Sequence, residues 1–193
     1  LPKRYLEFLN YMGSVQGGFL DELGAKISIG DALEAYAEDF YGTFPTDHLL
    51  IGSGFNGRLD NIALTIEEKD EPLVVNADGG DFLYPLAENL PFLLFQQAFL
   101  HYEFKQFEHE YKYGMMKGDF DINQIRRAFA QNGFRFKSFS DDYNLCAIHE
   151  EMSGASFIMP PSIGWISIRG KNKSRLDEID VYIHRNLKVS RIS

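Results

Sequence analysis

The sequence of 193 residues has only one cysteine, Cys146, and no long run of apolar residues. A single thiol excludes a disulfide within the chain and is typical of a reducing compartment. The longest apolar run, residues 92–95, is far shorter than the ~20 residues that a membrane-spanning helix needs. No secretory signal is visible in the sequence, so a cytoplasmic protein is expected.

The sequence also lacks a recognisable catalytic or metal-binding motif. His101 and His109 are eight residues apart, which differs from the i, i+4 spacing of a helical metal pair. Ser53 lies between two glycines but not in a G-x-S-x-G elbow. Cys146 lies in an apolar, strand-like segment, where a thiol usually packs as a small hydrophobe. We therefore expect no enzyme, no metal ion and no cofactor.

Residues 52–57 match the dinucleotide-binding pattern G-x-G-x-x-G letter for letter. In that motif the glycine turn opens a helix, whose N-terminus binds the pyrophosphate. The residues that follow here, 58–64, alternate as in a β-strand. The pattern therefore predicts a turn between two strands rather than a phosphate-binding site.

Negative charge is concentrated in the first part of the chain. The net charge is −9; residues 1–113 contain 7 Lys/Arg and 19 Asp/Glu, whereas residues 114–193 contain 12 and 9. An acidic surface favours basic partners, although it is also a common means of keeping a protein soluble. Carboxylates on one predicted helix face that has no Lys or Arg, and carboxylates crowded around predicted turns, are the candidate partner-binding residues: Glu34, Glu38, Glu67, Glu68, Asp70, Glu71, Asp78 and Asp81.

Basic residues gather near the predicted strand ends of the second part: Arg135, Lys137, Arg169, Lys171, Lys173 and Arg175. They are interleaved with Phe134, Phe136 and Trp165, a combination that can bind single-stranded nucleic acid. The charge of this part is only slightly positive, however, and Phe134 and Phe136 are needed for its core. A basic edge in contact with solvent is the favoured interpretation, and no nucleic-acid partner is expected.

The pattern of apolar residues predicts an α+β protein with two domains. Helices are predicted over residues 2–12, 31–41, 87–111, 121–132 and 174–187. Strands are predicted over residues 26–29, 48–51, 59–66, 73–76, 134–137, 143–149, 155–159 and 165–169. The change in charge and the glycine-containing segment 114–118 place the boundary between domains 1–113 and 114–193.

Four segments of the first 113 residues share a pattern with a known family. They are Leu1-Pro2-x-x-Tyr5-x-x-Phe8-Leu9 with Gly13 behind it, a second helix that ends Phe40-Tyr41, Leu50-Ile51-Gly52-Ser53-Gly54 leading to Asp60, and Pro72-Leu73-Val74-Val75 followed by Leu86-Ala87-Glu88-Asn89-Leu90-Pro91-Phe92-Leu93. In these segments the chain resembles the SUKH superfamily, which includes bacterial immunity proteins and yeast glucan-synthesis regulators. The helix that commonly precedes Leu-Pro in the family is missing here, and residues 114–193 have no counterpart.

The resemblance implies a small sheet flanked by helices, followed here by a second small α+β unit. It also implies a cytoplasmic immunity protein of a bacterial polymorphic toxin system, which blocks a cognate toxin stoichiometrically and does no chemistry. The resembling segment adds Asp60 to the candidate partner-binding residues. Acidic charge suits a nuclease toxin, whose surface must be basic to hold phosphates. A regulatory protein-interaction module, as in the yeast members, is the alternative.

Overall fold

A computed structural model describes residues 3–12, 47–53, 61–66, 71–78, 81–115, 121–151, 154–158, 164–187 and 189–192. The chain divides into two compact units, Leu1–Leu94 and Phe95–Ser193. Helices and antiparallel sheets are both present, which confirms the predicted α+β class. The helix predicted over 31–41 and the strand predicted over 26–29 lie outside the described residues.

The first helix, α1 (Lys3–Met12), forms where the sequence predicts it. Its apolar residues recur at helical spacing, so that they share one face of the helix. On that face Tyr5 is buried and its ring stacks on that of Phe8, with ring centroids 6.3 Å apart. Burial of this stripe holds the helix in place.

The sheet of the first unit has four strands in sequence order, and each is antiparallel to its neighbour. They are β1 (His48–Ser53), β2 (Asn61–Thr65), β3 (Val74–Asp78) and β4 (Asp81–Ala87). The central strands carry the buried side chains of Ile62, Val74 and Val75. The sequence predicts the first three strands but not β4. That strand contains Pro85 and is last in the strand order, where the missing N–H of proline removes no ladder hydrogen bond.

The prediction of one long helix over residues 87–111 is wrong. The structure has a shorter helix, α2 (Leu90–Ala98), which continues as a π-helical segment, Phe99–Phe104, and is followed by a strand, β5 (His109–Met115). In β5 the buried side chains of Tyr111 and Tyr113 are separated by Lys112, which is exposed. This period of two is the signal of a half-buried strand, and it outweighs the helical spacing of the preceding residues.

The second unit is built on a six-stranded antiparallel sheet. Its strands are β5 and, in chain order, β6 (Arg135–Phe136), β7 (Leu145–His149), β8 (Gly154–Ile158), β9 (Trp165–Gly170) and β10 (Val189–Arg191), arranged as β10-β5-β9-β8-β7-β6. Two helices accompany it, α3 (Ile122–Gln131) and α4 (Lys173–Asn186). Both helices and strands β6 to β9 were predicted within a few residues of these bounds; β10 was not.

The ends of α3 carry the predicted signals. The Asp121 side chain accepts hydrogen bonds from the N–H groups of Asn123 and Gln124, at 2.9 and 3.1 Å, as an N-cap residue does. The Gln124 side-chain amide donates to the carbonyl of Asn186 at 3.1 Å. After the helix Gly133 has φ +84°, the left-handed conformation that ends many helices.

The main core of the second unit lies between the sheet and the two helices. The predicted stripe of α4 is buried there, as are Phe129 of α3 and Ile166 and Ile168 of β9; the stripe consists of Leu176, Ile179, Ile183 and Leu187. A second apolar cluster contains Phe99, Phe104, Cys146 and Ala155. The sheet is therefore covered by apolar contacts on both faces.

Two tyrosines of β5 tie the sheet to α4. The Tyr113 hydroxyl donates to Asp180 Oδ1 at 2.7 Å, and the Tyr111 hydroxyl donates to Asp177. Burial and the nearby carboxylate of Asp180 raise the pKa of Tyr113 far above its ordinary value. The phenol therefore loses its proton less readily than a free tyrosine, which preserves it as a donor to α4 in alkaline solution.

The predicted boundary between domains 1–113 and 114–193 differs from that of the structure. In the sequence the boundary between the two units falls between Leu94 and Phe95, and residue 113 lies inside β5. Because β5 pairs with β9 and β10, it belongs to the second sheet. The acidic excess stays with the first unit under the new boundary: residues 1–94 contain 5 Lys/Arg and 16 Asp/Glu, whereas residues 95–193 contain 14 and 12.

Two fully buried serines lead to opposite predictions for stability. Ser156 Oγ has no hydrogen-bond partner among the described residues, whereas Ser167 Oγ donates to Glu110 Oε1 at 2.5 Å. A buried hydroxyl without a partner has lost its bonds to water, which destabilises the folded state. We expect Ser156→Ala to leave the free energy of unfolding unchanged or raise it by up to about 2 kcal/mol. The control Ser167→Ala should lower it by about 1–2 kcal/mol, because a bond to a carboxylate is lost.

Urea unfolding of the two variants beside the unchanged protein measures both effects. A loss from Ser156→Ala as large as that from Ser167→Ala would show that the Ser156 hydroxyl is bonded in solution. In that case the account of this part of the core would be wrong.

Candidate partner-binding surface

Three of the nine candidate acidic residues lie within the described part of the chain. Glu71 precedes β3, while Asp78 ends β3 and Asp81 begins β4. The other six lie outside the described residues: Glu34, Glu38, Asp60, Glu67, Glu68 and Asp70. Glu71, Asp78 and Asp81, with the residues around them, therefore define the candidate surface.

The strands place these residues at opposite ends of the first sheet. Because neighbouring strands are antiparallel, the beginnings of β1 and β3 lie at the same end as the last residue of β2. Glu71 belongs to that end, whereas Asp78 and Asp81 belong to the other. The five residues of β3, which span about 16 Å, separate the two ends. The candidate residues therefore do not converge on one point.

The first of these acidic ends comprises Asp47, Ile66 and Glu71, and we call it the turn end. Asp47 precedes β1 and Ile66 follows β2, and the Ile66 N–H donates to the Asp47 carbonyl at 2.6 Å. The Ile66 side chain is 54% exposed, and it is one of several large apolar side chains that are exposed among the described residues. An exposed apolar side chain flanked in the fold by acidic residues is the kind of surface that a protein partner can bury.

The carboxylate of Asp47 is charged at neutral pH. Its Oδ1 lies 2.8 Å from Nδ1 of His48, and this hydrogen bond lowers the pKa of Asp47 below its ordinary value. Sequence analysis missed this residue, since it is neither on a predicted helix face nor in the Glu67–Glu71 turn. The pairing of β1 with β2 brings Ile66 next to Asp47, and the sequence alone does not show this pairing.

Glu71 is positioned by the start of α2. The Asn89 amide donates to Glu71 Oε2 at 3.1 Å, while Asn89 Oδ1 accepts the Phe92 N–H at 2.9 Å. The same buried asparagine thus caps the helix and orients the carboxylate. Glu71 itself is exposed, so its charge is presented to solvent from a fixed position.

Asp78 and Asp81 form the second acidic end, which we call the hairpin end. They are register partners in the β3–β4 ladder, with two residues between them in sequence. Two acidic residues at directly opposed positions of a strand pair are unfavourable. The register thus places two acidic positions side by side at this end of the sheet.

The basic residues of the second unit are largely neutralised by carboxylates. Lys137 lies 2.6 Å from Glu103, Arg169 lies 2.6 Å from Glu110, and Arg135 and Arg175 pair with Glu150 and Glu178. The aromatic residues between them also have partners. Phe134 is buried against Phe129 and Phe136 packs against the main core. These contacts agree with a basic edge in contact with solvent.

Cys146, one of the groups considered for catalysis, is occupied in packing. Cys146 is fully buried, and burial raises the pKa of its thiol well above the ordinary value. The thiol therefore packs as the small hydrophobe that the sequence predicts. Residues 52 and 53 end β1 and residue 61 begins β2, so that both segments flanking the glycine motif are strands. Among the described residues, no three His, Cys, Asp or Glu side chains are close enough to hold a metal ion.

Comparison of the chain with protein-family models, with curated proteins and with solved structures finds no match. Among the described helices, none has both the length and the apolar character required to cross a bilayer.

Proposed function

We propose that this protein is a cytoplasmic immunity protein that binds a cognate bacterial toxin domain and neutralises it by stoichiometric blocking. The protein does no chemistry in this role and needs no cofactor or metal ion. The toxin is a basic protein, and a nuclease is the class that fits best. The immunity role comes from the resemblance to the SUKH superfamily, and the preference for a basic partner comes from the charge of this chain.

The observation that carries the proposal is the turn end of the first sheet. It presents the exposed side chain of Ile66 together with the carboxylates of Asp47 and Glu71. Protein interfaces combine an apolar centre with a polar rim, and complementary charge accelerates association and selects the partner. Glu67, Glu68 and Asp70 adjoin this end in sequence and carry the same charge.

A nuclease is favoured because its substrate is a polyanion. A protein that binds nucleic acid neutralises phosphates with Lys and Arg, so that its substrate-binding surface is basic. Residues 47–94 contain nine Asp or Glu but only two Lys or Arg, Arg58 and Lys69. This segment could therefore cover the basic surface of a nuclease and exclude the nucleic acid by charge as well as by bulk.

Affinity capture with the tagged full-length chain from its native cell tests the proposal. The captured partner should be basic, should arrest growth when it is expressed alone, and should lose that effect when this chain is co-expressed. A partner that is harmless when expressed alone would contradict the immunity role and support the regulatory module. Recovery of nucleic acid or of a small-molecule substrate instead of a protein would contradict both.

A further inference from the structure

A cleft in the second unit lies beside a buried histidine. It has a volume of about 350 Å³ and is lined by the turn after α3, by β6, by the end of β7 and by the first turn of α4. Its lining includes Gly133, Arg135, His149, Glu150 and Arg175. His149 is only 3% exposed, whereas the rest of this cleft is polar and open to water.

The ring of His149 is enclosed by neighbours that leave little room for it. It meets the Phe134 ring edge to face, with centroids 5.0 Å apart and the planes at 89°. On another side it abuts Gly133, where a Cβ atom would lie only 3.1 Å from Nε2. A side chain at position 133 would thus collide with the ring, and φ +84° disfavours one there as well. The histidine and this turn are therefore packed as a pair.

The electrostatic surroundings of His149 favour the neutral ring. Burial lowers its pKa, and the guanidinium of Arg175 lowers it further, while hydrogen bonds with the backbone of Asn132 and of His149 itself and the charge of Glu151 act in the opposite direction. The charged groups that line the cleft around it are Arg175 of α4, Arg135 of β6, and Glu150 and Glu151 after β7. Glu150 pairs with Arg135 and Glu178 pairs with Arg175.

We propose that His149 is an acid-sensitive latch: when it is protonated, the turn at Asn132–Gly133 and the short strand β6 separate from β7 and the cleft opens. A buried cation beside the Arg175 guanidinium is costly, and movement of the ring into the adjoining cleft hydrates the charge. Strand β6 is held to β7 by few contacts: it pairs at two positions, Arg135 with Ile148 and Phe136 with Ala147, and the Lys137 N–H beyond it donates to the Cys146 carbonyl at 2.9 Å.

The direction of the pH dependence follows from the lowered pKa. In the closed state His149 takes up a proton less readily than in the open state. At pH well above 6.5 the ring is neutral in both states, so the equilibrium between them does not depend on pH. As the pH falls below that value, the open state takes up the proton first, and closure weakens. The latch is therefore closed at neutral pH and opens in acid.

Hydrogen exchange tests the latch in the full chain. Protection factors, which are corrected for the intrinsic pH dependence of exchange, should fall several-fold between pH 7.5 and pH 5 at the amide of Lys137, which donates to the Cys146 carbonyl of β7 at 2.9 Å. Amides of Ile166 and Ile168 in β9 should change much less. His149→Gln should abolish the fall, and His184→Gln should retain it, because His184 is exposed on α4 and pairs with Asp180 at 3.2 Å. Equal loss of protection in the protein and in His149→Gln would overturn the proposal.

Titration of the histidine rings by NMR gives a second measurement that needs no variant. The His149 ring should titrate below free histidine, and the amide of Gly133 should shift with the same midpoint. If the ring titrates at or above the ordinary value, or if Gly133 does not follow it, the latch does not exist.

Discussion

Reversing the charge of the turn end, with Asp47→Lys and Glu71→Lys together, is expected to weaken binding of the toxin about 100-fold or more. Both residues belong to the same end of the sheet, which also exposes Ile66. Because the reversal also removes the bonds of Asp47 to His48 and of Glu71 to Asn89, circular dichroism should first show that the variant is folded. Reversal replaces two attractions by two repulsions, and close interfacial charge pairs carry coupling energies of about 1.5–7 kcal/mol. Most of the fall in the association rate should disappear as salt rises, because charges in solvent are screened over about 8–10 Å. Surface plasmon resonance at several ionic strengths measures both effects.

Two further double variants with the same number of charge reversals are compared with it. Asp78→Lys with Asp81→Lys changes the hairpin end, and Lys171→Glu with Lys173→Glu changes exposed basic residues of the second unit. Arg169 and Arg175 are unsuitable, because their reversal would also break ion pairs with Glu110 and Glu178. The two lysine changes should affect binding little. If they abolish it while the turn-end variant binds normally, the partner-binding surface lies on the second unit.

The largest expected effect on stability is that of Phe129→Ala, which should lower the free energy of unfolding by about 3–5 kcal/mol. Phe129 is buried in the main core of the second unit, where its ring packs against Phe134 at a centroid distance of 5.0 Å. Its truncation removes apolar contacts and leaves a cavity, and the loss is a large part of the ~5–15 kcal/mol that stabilises a domain. Chemical unfolding monitored by circular dichroism measures it.

Phe95→Ala is the matched control for this change. Phe95 also belongs to the second unit, but its side chain is 58% exposed and it stacks on Phe139 at 5.7 Å. Its truncation should cost only about 0.5–1.5 kcal/mol. In the Phe129 variant a first transition at low denaturant is expected to report the second unit, because Phe129 lies in the core of that unit. If all probes instead report a single transition, and its free energy of unfolding falls by the whole expected amount, the two units unfold together.

Local patterns of the sequence account for most of the described elements. The i, i+3, i+4 spacing predicts α1, α3 and α4, and the Asp121 cap and Gly133 mark the ends of α3. Alternation and β-branched residues predict β1 to β3 and β6 to β9. These signals reside within a few residues of each other, so they can be recognised without knowledge of the fold.

The missed elements are those in which two local signals compete. Residues 87–111 contain apolar residues at helical spacing, yet the chain leaves the helix at Phe104 and forms β5. The buried pair Tyr111 and Tyr113 decides this, because β9 and β10 supply strand partners that no local pattern reveals. The domain boundary predicted from the charge change and the glycine-containing segment differs from that of the structure for the same reason, because β5 pairs with strands of the second unit.

The sequence predicts that the first part of the chain is acidic, but it does not predict how the acidic residues are arranged on the sheet. Composition places the negative charge in the first part of the chain, and the structure keeps it in the first unit. The separation of Glu71 from Asp78 and Asp81 follows from strand direction, and the proximity of Asp47 to Ile66 follows from the pairing of β1 with β2. Only the second is a relation between residues distant in sequence, because Glu71 and Asp78 flank the single strand β3.

The central claim, that this protein neutralises a toxin by occupying it, is tested most directly by titrating the activity of the captured toxin with the full-length chain. With the toxin well above the dissociation constant, activity should fall linearly and reach zero at a fixed molar ratio. That ratio should not change with incubation time or after treatment with a chelator. Inactivation that continues with time when the protein is far below equivalence would mean that the protein acts as a catalyst, and it would contradict the account.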